Sequence, residues 1–196
     1  MSKNHSEQNM DHIFFLEPQE IVINDFDANG FILDIGGGGE GVVGQLKPDQ
    51  VIAIDPNQKE LEEAAEGPLK IVMDAADLKF LDNAFQTVTS FFTLMYIKND
   101  QHEKVFQEIF RVLDTGGRFL VWDLEIPTCL DESKDVVAAY LKVKLPDKEI
   151  QTGYGTRWPE KSKDFTHYKS IAEKVGFVVE WQEINGHMIQ MALTKP

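Results

Sequence analysis

Phe31-Ile32-Leu33-Asp34-Ile35-Gly36-Gly37-Gly38-Gly39-Glu40-Gly41 is the stretch on which the fold of this chain turns. A short apolar run breaks into glycines and is followed by Val42-Val43-Gly44-Gln45-Leu46, so the stretch reads as strand, tight turn and helix. Glycine lacks a Cβ and takes positive φ at little cost, which lets a backbone approach a ligand closely. Four consecutive glycines also lose much chain entropy on folding, more than a bare turn requires. A nucleotide-like ligand is implied.

Outward from this turn, apolar runs alternate with segments of helical period, the pattern of βαβ units and a parallel sheet. Phe31 to Ile35 is the first strand, Val51 to Asp55 the second, Leu69 to Met73 the third, Thr87 to Phe92 the fourth and Arg118 to Leu124 the fifth. Before the fifth, Val105, Phe106, Ile109, Phe110, Val112 and Leu113 fall on one helical face, with Asp100 and Glu103 as the expected cap and Gly116-Gly117 as the stop. Asp164 to Val175 reads as a helix ended by Gly176. Phe177 to Ile184 and His187 to Thr194 then read as strands joined by Asn185-Gly186, a strong hairpin signal. The fold class is α/β, a doubly wound sheet closed by an antiparallel hairpin.

Ile126 to Lys163 is longer than an ordinary connection. Tyr140 to Leu145 alternates like a strand, Pro146-Asp147 is a turn and Glu149 to Tyr154 returns, so residues 126–163 read as a β-hairpin insertion capping the substrate side. Residues 1–16 are expected to form a lid or tail, and residues 1–196 a single domain. The alternating strand of the insertion would offer an edge to a second copy, giving a homodimer.

Composition narrows the function. The 196 residues carry 19 Lys and Arg against 33 Asp and Glu, a formal net charge of −14. Affinity for phosphate backbones comes mainly from Lys and Arg, so no nucleic-acid partner is expected. The longest apolar stretch is far short of the ~20 residues of a membrane span, and Met1 to Met10 is polar, unlike a secretory signal. The expected location is cytoplasmic, with no membrane partner. One cysteine, Cys129, allows no intrachain disulfide and no cysteine-built metal site, and no metal is expected.

The second strand ends at Asp55, about 20 residues after Asp34, the offset at which a carboxylate accepts ribose hydroxyls. Alone, Asp55 before Pro56-Asn57 is equally an Asx turn opening a helix. Gly36-x-Gly38-x-x-Gly41 also satisfies the dinucleotide fingerprint. Asp34, however, would repel a pyrophosphate, and Asp34 to Leu46 contains no Arg or Lys to attract one. The loop suits a cation.

These stretches, with Met73-Asp74-Ala75-Ala76-Asp77-Leu78-Lys79-Phe80-Leu81-Asp82-Asn83-Ala84-Phe85, Phe91-Phe92-Thr93-Leu94-Met95-Tyr96-Ile97 and Glu108-Ile109-Phe110-Arg111-Val112-Leu113-Asp114-Thr115-Gly116-Gly117, are similar to class I S-adenosylmethionine-dependent methyltransferases, notably the type 11, small-molecule group. The resemblance implies a Rossmann-like sheet of seven strands in order 3-2-1-4-5-7-6 with one antiparallel strand. It implies S-adenosyl-L-methionine as cofactor. Gly36 and Gly38 would line its methionine and ribose side, with Asp34 near the ammonium. Asp55 would hold the ribose, Asp74 and the Ala75 backbone the adenine, and Phe91 the methionine portion. Glu40 stands where the family has a third alternate glycine, and it receives no ligand role here.

A transferase of this kind moves a methyl group by in-line displacement, mostly through positioning. Where the acceptor needs a base, the candidates are Asp123 at the end of the fifth strand, His12 ahead of the first helix, and His102, whose place at a helix start reads as solvated surface. Phe92, Leu94 and Ile97 read as core. Phe14, Phe15, Tyr154 and Trp158 are candidates for an aromatic lid, and Tyr154, Arg157 and Trp158 for substrate contacts. Deleting Leu141 to Thr152 is expected to leave cofactor affinity nearly intact while abolishing turnover. A small-molecule acceptor is the main reading; a non-catalytic cofactor-binding module and a nicotinamide-dependent oxidoreductase are the alternatives.

Overall fold

A computed structural model describes residues 10–129, 131–159 and 161–196. The first nine residues of the expected tail, with Leu130 and Glu160 of the insertion, lie outside these. In chain order the strands are β1 (Ile13–Phe15), β2 (Gln19–Val22), β3 (Ile32–Ile35), β4 (Val51–Asp55), β5 (Leu69–Val72), β6 (Phe85–Phe91), β7 (Leu113–Leu124), β8 (Val136–Lys144), β9 (Glu149–Arg157), β10 (Val178–Asn185) and β11 (Met188–Thr194). The α-helices are α1 (Val42–Leu46), α2 (Gln58–Glu63), α3 (His102–Val112) and α4 (Phe165–Val175).

Seven strands form the main sheet in the order β5-β4-β3-β6-β7-β11-β10, and β11 runs antiparallel to both its neighbours. β3 lies at the centre and all four of its residues are buried, as a parallel strand covered on both faces requires. α3 and α4 cover one face. Val105, Phe106, Ile109 and Val112 recur at helical spacing and pack with Phe119, Phe177 and Tyr168. The N-cap of α3 is Gln101, which makes no side-chain hydrogen bond, so the expected Asp100 cap is absent. Asp164 does cap α4, its carboxylate accepting the His167 N–H at 2.8 Å.

The other face carries α1, α2 and a second, smaller sheet. β8 and β9 are the expected hairpin, longer than the sequence suggests and antiparallel throughout. Along its other edge β8 pairs in parallel with β1 and then β2. Residues 10–16 are therefore not a lid or tail: a 3-10 turn over Met10–His12 leads into β1, and His12 precedes no helix. Ile21, Ile23, Val137, Leu141 and Val143 form a continuous core with Ile32, Val51, Phe92 and Leu124 of the main sheet side. Both edges of β8 are thus occupied, and the Tyr140 to Leu145 strand has no free edge for a second copy. Among the described residues no helix is long and apolar enough to cross a membrane.

Candidate functional site

The carboxyl ends of β3, β4 and β6 open onto a cavity of about 580 Å³, the place where ligands of open α/β sheets bind. Asp34, Gly36, Gly38, Asp55, Asp74, Ala75 and Phe91 all line it. The glycines are needed there for space. A Cβ on Gly36, whose φ is +71°, would lie 2.2 Å from the Thr93 hydroxyl. One on Gly38 would lie 2.6 Å from Glu60 Cβ and 3.0 Å from an Asp55 carboxylate oxygen. Bare backbone is the only surface that fits between these walls.

The carboxylates differ in environment. Asp34 is 2% exposed, and the Thr89 hydroxyl donates to it at 2.7 Å. Among the described residues no cation pairs with it, and burial, opposed by the Thr89 bond, pushes its carboxyl up to about 7. A cation beside it would relieve that cost. Asp55 is half-buried and also raised by burial, against backbone N–H donation from Asn57 and Gly38. The 2.8 Å bond from Asn57 N–H is the Asx turn anticipated at this position, and the same carboxylate lines the cavity. Asp74 likewise closes a turn, accepting Ala76 N–H at 2.8 Å, while lining the cavity.

Some residues in the cavity wall are not evident from the sequence. Glu40 and Glu60 bring the lining carboxylates to five, with no Lys, Arg or His among the lining residues. Glu40 accepts hydrogen bonds from Tyr154 at 2.9 Å and from Thr152, tying the glycine loop to β9. Tyr154 stacks on Phe92 at 4.8 Å, and burial followed by the Glu40 charge holds its phenol well above the usual range. Phe92 carries φ of +49° at the end of β6, a conformation that costs a non-glycine residue ~1–2 kcal/mol. This bend leads directly to Thr93, Tyr96 and Ile97 in the cavity wall. Phe92 and Ile97, read as core, line the cavity; Leu94 is core only.

Other candidates fall elsewhere. Asp123 is fully buried and does not line the cavity; its carboxylate accepts the N–H groups of Met95 at 3.2 Å and Leu124 at 2.8 Å. Lys163 Nζ donates to the Met95 and Ile97 carbonyls at 2.7 Å each. Asp123 therefore braces the turn after β6 from behind. His102 is fully buried rather than solvated: Nε2 donates to the Leu94 carbonyl at 2.9 Å, and Nδ1 lies 2.8 Å from His167 Nε2. That bond fixes the tautomer, and burial lowers its pKa to about 4. His12 is exposed at the start of β1. Trp158 packs on Phe14 at 5.1 Å and donates to the Pro127 carbonyl; Phe15 stacks on Tyr140 at 5.5 Å. Arg157 is exposed at the end of β9. Of the proposed lid and substrate residues, Tyr154 alone lines the cavity.

Residues 33–121 match the family model described as Methyltransferase domain, of type 11. Over that stretch the chain is similar to methyltransferase domains. No curated protein sequence matches it. The PH0226 protein from Pyrococcus horikoshii OT3 is 19% identical, with 85% of this chain and 82% of that one covered at a TM-score of 0.61. A methyltransferase dependent on S-adenosylmethionine from Mesorhizobium loti is 14% identical over 86% and 93% of the two chains, at 0.60. One from Clostridium acetobutylicum is 15% identical over 84% and 83%, at 0.59. At such identities the likeness carries the fold alone. A domain similar to this family is expected to use S-adenosylmethionine, and the cavity fits that group: glycines that admit no Cβ, a buried carboxylate with no cation beside it, and no cationic side chain among the lining residues for a pyrophosphate.

Proposed function

We propose that this methyltransferase transfers a methyl group to a small organic acceptor by in-line displacement. The observation that carries the reading is one cavity of about 580 Å³ in which the glycine loop, Asp55 and Asp74 meet a wall contributed by the inserted hairpin. Its size falls within the ~300–1,000 Å³ of small-ligand pockets, which suits the cofactor with a compact acceptor. When bound, the cofactor supplies an activated methyl on a cationic sulfur.

The chain's own residues position and exclude water. Asp34 would hold the ammonium, and Asp55 the ribose hydroxyls. Asp74 and the Ala75 backbone would read the adenine, with Phe91 and Phe92 covering the methionine portion. Tyr154, joined to Glu40, covers the cavity from the hairpin side and keeps the acceptor in line. Holding two reactants in attack geometry is worth up to ~7–11 kcal/mol of barrier, so no fixed catalytic base is needed for an acceptor that is already nucleophilic. The net charge of −14 suits a small-molecule acceptor better than a nucleic acid, and we place the reaction in the cytoplasm.

Thermal shift with S-adenosylhomocysteine, NAD(H) and NADP(H), followed by methyl transfer from labelled cofactor to an acceptor panel, tests the reading. S-adenosylhomocysteine is expected to raise the melting temperature, since it binds the native state alone. Stabilisation by the nicotinamides instead would overturn it.

A further inference from the structure

We propose that the acceptor is a basic amine, received by Glu40 of the glycine loop beneath Tyr154. This rests on the methyl-transfer reading above and names its substrate class. The cavity has more negative charge than its cofactor can balance. Five carboxylates line it, and the cofactor allots Asp34, Asp55 and Asp74 while bringing a single net positive charge. Of the two left, Glu60 lies against Gly38 beside Asp55, on the side given to the ribose, where its carbonyl accepts Gly39 N–H at 2.9 Å and its Cβ crowds Gly38. Glu40 instead faces the hairpin and meets Tyr154 and Thr152.

An ionised carboxylate offers about four lone-pair sites, and these two donors leave about two for a ligand. The adjoining surface is aromatic: Phe91, Phe92, Tyr96 and Tyr154 line the same cavity. Aromatic faces attract a cation. An anionic acceptor would find no Lys, Arg or His among the lining residues, whereas an ammonium would find both a carboxylate and ring faces.

Proton transfer and bond formation balance with the groups present. The bound ammonium gives one proton to Glu40 and becomes a neutral amine. Its lone pair forms the bond to the methyl carbon, and the carbon–sulfur bond breaks with its electrons kept on sulfur. The product leaves as a methylated ammonium, and Glu40 returns its proton to solvent. Tyr154, held by Glu40 and stacked on Phe92, is a positioning residue for this step.

The full-length protein would be given labelled cofactor with panels of primary and secondary amines, phenols, thiols and carboxylic acids, after S-adenosylhomocysteine affinity is measured by calorimetry. Amines are expected to be the class methylated. Glu40→Gln keeps the size and one of the two acceptor oxygens, and the Thr152 or Tyr154 hydroxyl that meets the amide N–H can turn to accept from it, so a purely structural Glu40 would tolerate it. The expected result is a fall in kcat/KM for the amine of about 100-fold or more, with Glu40→Asp partly restoring it and S-adenosylhomocysteine affinity held within about threefold. Preferred turnover of phenols, thiols or acids would overturn the proposal. So would E40Q activity equal to the native, or refusal of every amine by a protein that binds S-adenosylhomocysteine. Failure to bind S-adenosylhomocysteine would instead remove the underlying reading.

Discussion

Asp34→Asn should make the protein more stable at neutral pH and worse at binding its cofactor. Asp34 is fully buried, and burial raises its carboxyl from 3.8 to about 7. Between these values the folded state keeps a proton that the unfolded state has lost, so this group's contribution to stability declines as pH rises through the window. The decline is about 1.4 kcal/mol per pH unit over roughly three units, on the order of 4 kcal/mol, and it is complete above the folded value. Asparagine is nearly isosteric, never ionises, and its amide oxygen can still accept from Thr89. Melting curves of the two proteins should therefore coincide near pH 4, diverge up to pH 7 and run parallel above it. For a chain of this size that gap is roughly 10 °C. Because Asp123 and His102 also titrate differently in the two states, the informative quantity is the difference between variant and native.

Binding should move the opposite way. An ammonium beside Asp34 favours the ionised carboxylate, so S-adenosylhomocysteine should release a fraction of a proton near pH 7, read by calorimetry in buffers of different ionisation enthalpy. The variant, lacking the charge, should bind about 30- to 100-fold more weakly, the worth of one charge-assisted hydrogen bond. A pH-independent difference in melting temperature, or unchanged affinity, would refute the reasoning.

Gly36→Ala puts a Cβ 2.2 Å from Thr93 Oγ1 at a φ of +71°, and should cost about 2–4 kcal/mol in stability with loss of measurable S-adenosylhomocysteine binding, seen by denaturant titration and calorimetry. His102 stays neutral when folded down to about 4 against 6.5 unfolded, so its stabilisation is full above 6.5 and is lost as pH falls towards 4, on the order of 3 kcal/mol. His102→Gln should flatten that part of the acid stability profile, and an unchanged profile would show that the imidazole is not held neutral. Arg111 donates to the Leu78 and Phe80 carbonyls and to Asp82 and Glu108, bracing the segment after Asp74. Arg111→Ala should lower stability by about 2–3 kcal/mol in urea.

Deleting Leu141 to Thr152 is no longer a clean experiment on turnover. The deletion would remove all four β8 residues that β2 pairs with and expose Ile21, Ile23 and the apolar main-sheet face beneath it. It would also cut Thr152 away from Glu40. Cofactor affinity should fall with stability, and Tyr154→Phe is the variant that separates the two effects.

The sequence by itself determined the features that depend on neighbours along the chain. Apolar runs of strand length, helical periodicity in residues 102–112, Asn185-Gly186 between two strands and glycines before Glu40 are local patterns with local physical causes. The second sheet was beyond that reach, because β1 and β2 have three and four residues and show no clear period. They become strands only when β8 arrives more than a hundred residues later to satisfy their backbone groups. Burial was likewise decided by packing: His102 and Asp123 have ordinary surface or sheet-end positions in sequence, yet α4, Lys163 and the turn after β6 enclose them. Glu40 is the sharpest instance. Its charge is visible in the sequence, but its role exists only because tertiary folding brings Thr152 and Tyr154 across to meet it.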